Sequence, residues 1–146
     1  ANLWTEVVPN LQFAFYMTYP RAFSTIETLW SPKEAKNWNS FINRTESHFL
    51  RFDAAKINIS RAVYEPIVKI KKDSGKILVE LSNSVPNTEI YYSIDNTYPV
   101  NYAKKYEASF EIPEANLNLR VQTFRNGQSL GRELIIPYSE IVKRAK

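Results

Sequence analysis

Leu117-Asn118-Leu119-Arg120-Val121-Gln122-Thr123-Phe124-Arg125-Asn126-Gly127 is the stretch that decides the fold. Leu117, Leu119, Val121 and Thr123 alternate with Asn118, Arg120 and Gln122, the period of a strand with one face buried. Asn126-Gly127 then supplies a two-residue hairpin turn, because both central positions of such a turn need positive φ. Leu134, Ile135 and Ile136 form a last strand beyond it. Upstream the same grammar repeats. Val68 and Ile70 alternate with Lys69 and Lys71, a turn follows at Asp73-Ser74-Gly75, and Ile77, Val79 and Leu81 flank Leu78 and Glu80. Ile90, Tyr92 and Ile94 form the next candidate, and Phe110 with Ile112 another. About six short strands with turns between them predict a small antiparallel β-sandwich.

The opposite end of the chain has a different grammar. Residues 1–60 hold all three Trp, six of the eight Phe, the single His and the single Met, and no Gly. Trp38, Phe41, Ile42, Thr45, Phe49 and Phe52 recur at three- and four-residue steps, which predicts a helix from Pro32 to about Ala55. Ser31-Pro32-Lys33-Glu34 reads as its start, with Ser31 as N-cap and Pro32 at the first helical position. Ala22, Phe23, Ile26, Leu29 and Trp30 form an earlier helical stripe after Pro20, and Leu11 to Met17 a further short helix. A strand is expected over residues 1–8. The joint between the halves falls at Asn58 to Pro66, where Pro66 biases Glu65 to an extended conformation. The expected organisation is α+β, with one domain at 1–62 and a second at 63–146.

Composition excludes several chemistries. The chain has 146 residues, no Cys and one His, so there is no thiol nucleophile, zinc-thiolate site or multi-histidine centre. No metal and no cofactor is expected. No apolar run reaches the ~18 residues of a membrane helix, and no basic segment followed by an apolar core marks a signal peptide at the N-terminus. Lys+Arg number 19 against 15 Asp+Glu, and a scattered net charge of +4 does not argue for nucleic acid.

The first six residues carry the most chemistry. On a strand, Trp4 and Glu6 point the same way, an aromatic face beside a carboxylate. A pyranose stacks its apolar face on such a ring and donates hydroxyls to such a carboxylate. From the spacing alone, a core Trp beside a surface Glu is the favoured reading.

Three elements together resemble the end of the catalytic domain of the β-N-acetylhexosaminidases of glycoside hydrolase family 20. They are Leu3-Trp4-Thr5-Glu6, Tyr19-Pro20-Arg21-Ala22 and Glu27-Thr28-Leu29-Trp30-Ser31-Pro32, and their order and spacing agree over roughly residues 1–56. In that family a W-x-E segment closes the last strand of a (β/α)8 barrel, and the P-R to W-S-P run forms the helix behind it. The second half is similar to the immunoglobulin-like β-sandwich of the chitobiase/hexosaminidase C-terminal type. Its run stands here as Tyr91-Tyr92-Ser93-Ile94-Asp95-Asn96-Thr97-Tyr98-Pro99, with Asn96 where the family often has Gly. Arg120 to Arg125 and Ser129-Leu130-Gly131 match its later segment.

The resemblance implies a parent glycosidase that removes terminal N-acetylglucosamine or N-acetylgalactosamine by substrate-assisted retaining hydrolysis. The acetamido oxygen is then the nucleophile, with a Glu as general acid and an Asp orienting the acetamido group. It implies that Trp4 lines the sugar and that Glu6 accepts from its O4 and O6 hydroxyls. No catalytic residue falls in this chain, which has no Asp-Glu dipeptide. The expectation is that seven barrel strands and the catalytic pair lie upstream, and that the chain alone is inactive. Its partners would be N-acetylhexosamine-terminated glycans and the rest of the barrel, with self-association through aromatics left uncovered. By resemblance, such enzymes are often periplasmic, secreted or lysosomal, and the sequence itself does not give the compartment. The competing expectation is a non-catalytic carbohydrate-binding or interaction sandwich on a helical support.

The remaining candidates have plainer readings. Arg21 and Glu27 lie too far apart for a helical pair and read as anchors. His48 reads as structural. Lys69, Lys71, Lys72 and Lys76 read as a solvated hairpin or protected strand edge rather than an anionic-glycan site. Tyr91, Tyr92, Tyr98, Tyr102 and Tyr106 read as core plus scattered surface rather than a sugar platform. Asn43-Arg44-Thr45 and Asn58-Ile59-Ser60 fit the glycosylation sequon, which matters only in a secreted eukaryotic protein.

Overall fold

The computed structural model describes residues 2–100, 103–113 and 117–145, which form two units, one up to Arg61 and one from Ala62. Tyr102 and Ala1 lie outside the described residues.

The second unit is built from two antiparallel sheets. β1 (Ile67–Asp73) and β2 (Lys76–Ser82) form a hairpin with Asp73 opposite Lys76, so Ser74-Gly75 is a two-residue loop. Both loop residues have positive φ, 48° and 85°, as a hairpin matched to strand twist requires. The first sheet has the order β1-β2-β5, where β5 is Phe110–Ile112. The second has the order β4-β3-β6-β7, from β3 (Glu89–Ser93), β4 (Lys104–Lys105), β6 (Asn118–Arg125) and β7 (Gln128–Pro137). One core joins them. Val79, Leu81 and Ile112 from the first sheet cluster with Ile90, Tyr92, Leu119, Val121 and Ile136 from the second. The alternating positions of the sequence are these inward positions, and the arrangement is a small β-sandwich.

The sheets differ from expectation in three places. Ile94 does not continue β3, because Ser93 Oγ donates to Thr97 O at 2.5 Å and turns the chain. β7 begins at Gln128, well before Leu134. Asn126-Gly127, with φ of 51° and 76°, pairs Arg125 directly with Gln128. A bulge then interrupts the β6–β7 ladder between Val121 and Thr123, where Gly131 has φ 67°. The buried Gln122 side chain spans the gap, its Nε2 donating to Leu130 O at 2.9 Å. Third, a short helix, α4 (Tyr138–Arg144), follows β7 and inserts Ile141 into the core.

The first unit is helical. α1 spans Leu11–Thr18, α2 Arg21–Trp30 and α3 Trp38–Ala54. Asn10 caps α1, its Oδ1 accepting from Phe13 N at 2.9 Å. Ile42, Thr45 and Phe49 are the buried face of α3. Beside them Tyr19, Phe23 and Phe52 pack ring on ring, with centroids 5.0 Å apart for Tyr19–Phe52 and 5.2 Å for Tyr19–Phe23.

Two expectations are corrected here. The long helix does not start at Pro32. Ser31 is the C-cap of α2, Pro32 is extended with ψ 149°, and Lys33–Ala35 makes one 3₁₀ turn. Asn37 is the working cap, accepting from Ser40 N at 2.9 Å. The strand expected over 1–8 is also absent. Among the described residues none pairs in a ladder with 2–9, and Thr5 O instead accepts from Val8 N at 3.1 Å around a turn at Glu6-Val7. A strand needs a neighbouring backbone to hydrogen-bond, and the strands described here pair only with one another.

Candidate functional site

Trp4 and Glu6 lie on the irregular segment before α1. Trp4 is 72% exposed, and Glu6 is exposed in the turn. They do not share a strand face, so the i, i+2 argument does not apply in this conformation. The apolar neighbours Leu3 and Val7 are exposed as well. α2 carries the same character: Ile26, Leu29 and Trp30, at helical steps, are exposed, Trp30 to 83%. On α2 the three form an exposed apolar stripe along one helix.

The other side of α2 is fastened inward. The Glu27 carboxylate receives both Arg44 Nη atoms, at 2.8 and 3.1 Å, in a bidentate pair across to α3. The hydrogen bond from Arg44 is the main reason the Glu27 carboxyl is held below the usual range. Glu27 is therefore an anchor, with Arg44 as the partner that sequence spacing did not reveal. Arg21 Nη1 donates to Met17 O at 3.2 Å. His48 is half-buried with its ring 5.0 Å from Phe23. A cleft of about 200 Å³ between α2 and the start of α3 is lined by Glu27, Thr28, Lys36, Asn37, Trp38 and Phe41. Its polar groups are engaged: Lys36 Nζ donates to Thr28 O at 2.9 Å, and Asn37 caps α3.

In the sandwich, the Tyr91–Pro99 run builds a loop. Asp95 Oδ1 accepts from Thr97 N at 3.1 Å and Thr97 Oγ1 at 2.5 Å, and the hydroxyl bond chiefly lowers the Asp95 pKa. Asn96 takes φ 65°, the left-handed conformation for which Asn is the best substitute for Gly. Its Oδ1 accepts from Asn118 N at 2.9 Å, and its carbonyl accepts from Arg120 Nη1 at 2.7 Å. Arg120 in turn chelates Glu133 at 2.5 and 2.9 Å and lies over the Tyr98 ring at 5.7 Å. Tyr92 stacks on Phe110 at 4.0 Å, and Tyr91 meets Phe124 edge-on at 5.2 Å. These tyrosines pack against their own sandwich rather than forming an open row. The lysine hairpin is solvated, with Lys76 2.7 Å from Glu111 and Lys71 3.8 Å from Glu80.

Among the described residues no group of His, Cys, Asp and Glu could hold a metal ion, and no helix is long and apolar enough to cross a membrane.

Two comparisons bear on the chain. The family described as "Fn3 associated" matches residues 79–132, from within β2 to the bulge of β7. A "Beta-hexosaminidase" of Akkermansia muciniphila is 35% identical over 48 residues, 33% of this chain. That match spans 10% of the Akkermansia protein's length. Over these stretches the chain, an α+β molecule with a small antiparallel sandwich, is similar to part of a beta-hexosaminidase and to the Fn3-associated family.

Proposed function

We propose that the chain is the C-terminal part of a glycosidase of the β-N-acetylhexosaminidase type, glycoside hydrolase family 20. In this reading, residues 1–62 complete the catalytic (β/α)8 barrel and 63–146 form its accessory immunoglobulin-like sandwich. The observation that carries the reading is the 35% identity to a beta-hexosaminidase. The exposed apolar stripe of Ile26, Leu29 and Trp30 on α2, and the exposed Trp4, support it, since a barrel would supply surface to cover such residues.

The work assigned to this chain is binding. Trp4 stacks on the apolar face of a terminal N-acetylhexosamine, and Glu6 accepts from its O4 and O6 hydroxyls. Paired with a neighbouring barrel strand, residues 2–8 straighten and bring the two side chains to the same face. Such groups fall at the C-terminal ends of barrel strands. The acid and the acetamido-orienting Asp come from elsewhere in the parent, since this chain has no Asp-Glu dipeptide. The chain by itself is then inactive.

In the parent enzyme, Glu6→Gln removes charge-assisted bonds and is expected to lower kcat/KM for an aryl N-acetylglucosaminide by roughly tenfold to a hundredfold. An unchanged kcat/KM sinks the assignment of Glu6. Turnover by the isolated chain sinks the assignment of catalysis to the rest of the parent.

A further inference from the structure

Each sheet of the sandwich has a short strand at one edge. β4, of two residues, ends the second sheet, and β5, of three, ends the first. Residues of both edges and of the loop after β3 line one cleft of about 310 Å³, among them Tyr92, Asp95, Thr97, Lys104, Phe110 and Glu111. That size lies near the lower end of small-molecule clefts, which run from roughly 300 to 1,000 Å³.

Tyr92 is the unusual member of the lining. It is 4% exposed. Its ring lies parallel to Phe110 at 4.0 Å, and Lys104 Nζ stands 6.0 Å from its centroid. A buried tyrosine hydroxyl ordinarily has a hydrogen-bond partner. Among the described residues this one has none. The neighbouring groups also keep bonding capacity. Asp95 uses Oδ1 for Thr97, and Glu111 uses Oε2 for Lys76, which leaves each carboxylate a second oxygen. Lys104 is exposed and forms no ion pair among the described residues. The lining therefore sets donors and acceptors beside an aromatic wall. Two carboxylates and one ammonium offer an anion no net attraction. A neutral sugar has hydroxyls that both donate and accept and a ring with an apolar face, so it engages all three kinds of group.

We propose that this cleft is a carbohydrate site of the sandwich, which takes one neutral hexopyranose unit of a glycan. The Tyr92 hydroxyl and the Lys104 ammonium donate to it, and Asp95 and Glu111 accept from it. The choice of a glycan rests on the glycosidase reading above. The site shares no residue with the pair Trp4 and Glu6.

The test titrates the ¹⁵N-labelled chain, residues 1–146, with methyl N-acetyl-β-D-glucosaminide and follows the amide resonances. Saturable shifts are expected at Tyr92 to Thr97, Lys104 and Phe110 to Glu111, with a Kd on the order of 1 mM for a ligand of this size. No saturable shift there at tens of millimolar sugar overturns the proposal. Tyr92→Phe keeps the ring and removes the hydroxyl, and is expected to weaken binding roughly threefold to tenfold, the worth of one hydrogen bond. If that variant does not fold, Lys104→Ala, on an exposed side chain, carries the test with a similar expected loss. Unchanged affinity in the folded variants overturns the proposal. Glucuronate is expected to bind no more tightly than the neutral sugar, and tighter binding overturns the neutral-ligand assignment. Trp4→Ala and Glu6→Gln are expected to leave the shifts in place, and their disappearance in either variant overturns the cleft as the site. Glu6→Gln in the parent enzyme separates the two failures. If its kcat/KM is unchanged while the cleft still binds sugar, the assignment of Glu6 alone has failed. If its kcat/KM falls while the cleft binds nothing, the cleft alone has failed.

Discussion

Glu27, Glu89 and Asp95 are carboxylates whose ionised forms are hydrogen-bonded in the folded chain. Arg44, Lys105 and Thr97 respectively are the main causes, and each lowers the pKa of its partner. A group whose folded pKa is depressed adds stability above its unfolded pKa and loses it as pH falls through the folded one. The expected outcome is a Tm that is level from neutral pH down to roughly 5 and drops below about pH 4, where unfolded carboxylates protonate. Calorimetry across that range checks it, and Glu27→Gln is expected to flatten part of the acid slope. A Tm that does not move in acid contradicts the assignment. Asp95 is exposed and Glu89 partly so, so added salt should shrink their share of the effect more than that of the largely covered Glu27.

At the scale of elements, caps and turns decide where helices and strands begin. Asn37 caps the first turn of α3, its Oδ1 accepting from Ser40 N at 2.9 Å. Asn37→Ala is expected to cost about 1 kcal/mol, read by denaturant unfolding at constant m. Ser74 makes the opposite case. It sits at φ 48° in the β1–β2 hairpin, where Ser is strained and Asn is favoured. Ser74→Asn is expected to stabilise by a few tenths to about 1 kcal/mol. Destabilisation would mean that the bond from Ser74 Oγ to Asp73 Oδ1, at 3.1 Å, outweighs the backbone term.

At the scale of the molecule, the two units differ in how they close. The sandwich unit has a continuous core from both sheets and α4, with Val79, Leu119, Val121 and Ile141 at 0% exposure. The helical unit leaves Trp4, Leu11, Ile26, Leu29, Trp30 and Leu50 more than half exposed. Residues 62–146 alone are therefore expected to unfold cooperatively as a monomer. Residues 1–61 alone are expected to bind a hydrophobic dye and to self-associate in a concentration-dependent way by sedimentation. A monomeric, dye-free helical unit would show that its apolar surface is closed by itself.

What the sequence determined by itself was local. The period of two from Leu117 to Thr123, the Asn126-Gly127 turn and the stripe from Trp38 to Phe52 each report a residue's neighbours along the chain, so strands, hairpin and helix face followed from them. Even locally, competition mattered: Ser31 and Asn37 are both good caps. The choice went to Asn37 because the extended Pro32 and the 3₁₀ turn intervene. The tertiary structure decided the rest. The pairing of Glu27 with Arg44, the tether from Gln12 to Asn58, the bulge closed by Gln122 and the insertion of Ile141 join residues that no local period connects. The fate of residues 2–9 belongs with them. The sequence suggests Trp4 and Glu6 as a sugar-type pair, but whether their segment is a strand depends on a hydrogen-bonding neighbour, and periodicity in one chain segment carries no information about its neighbour.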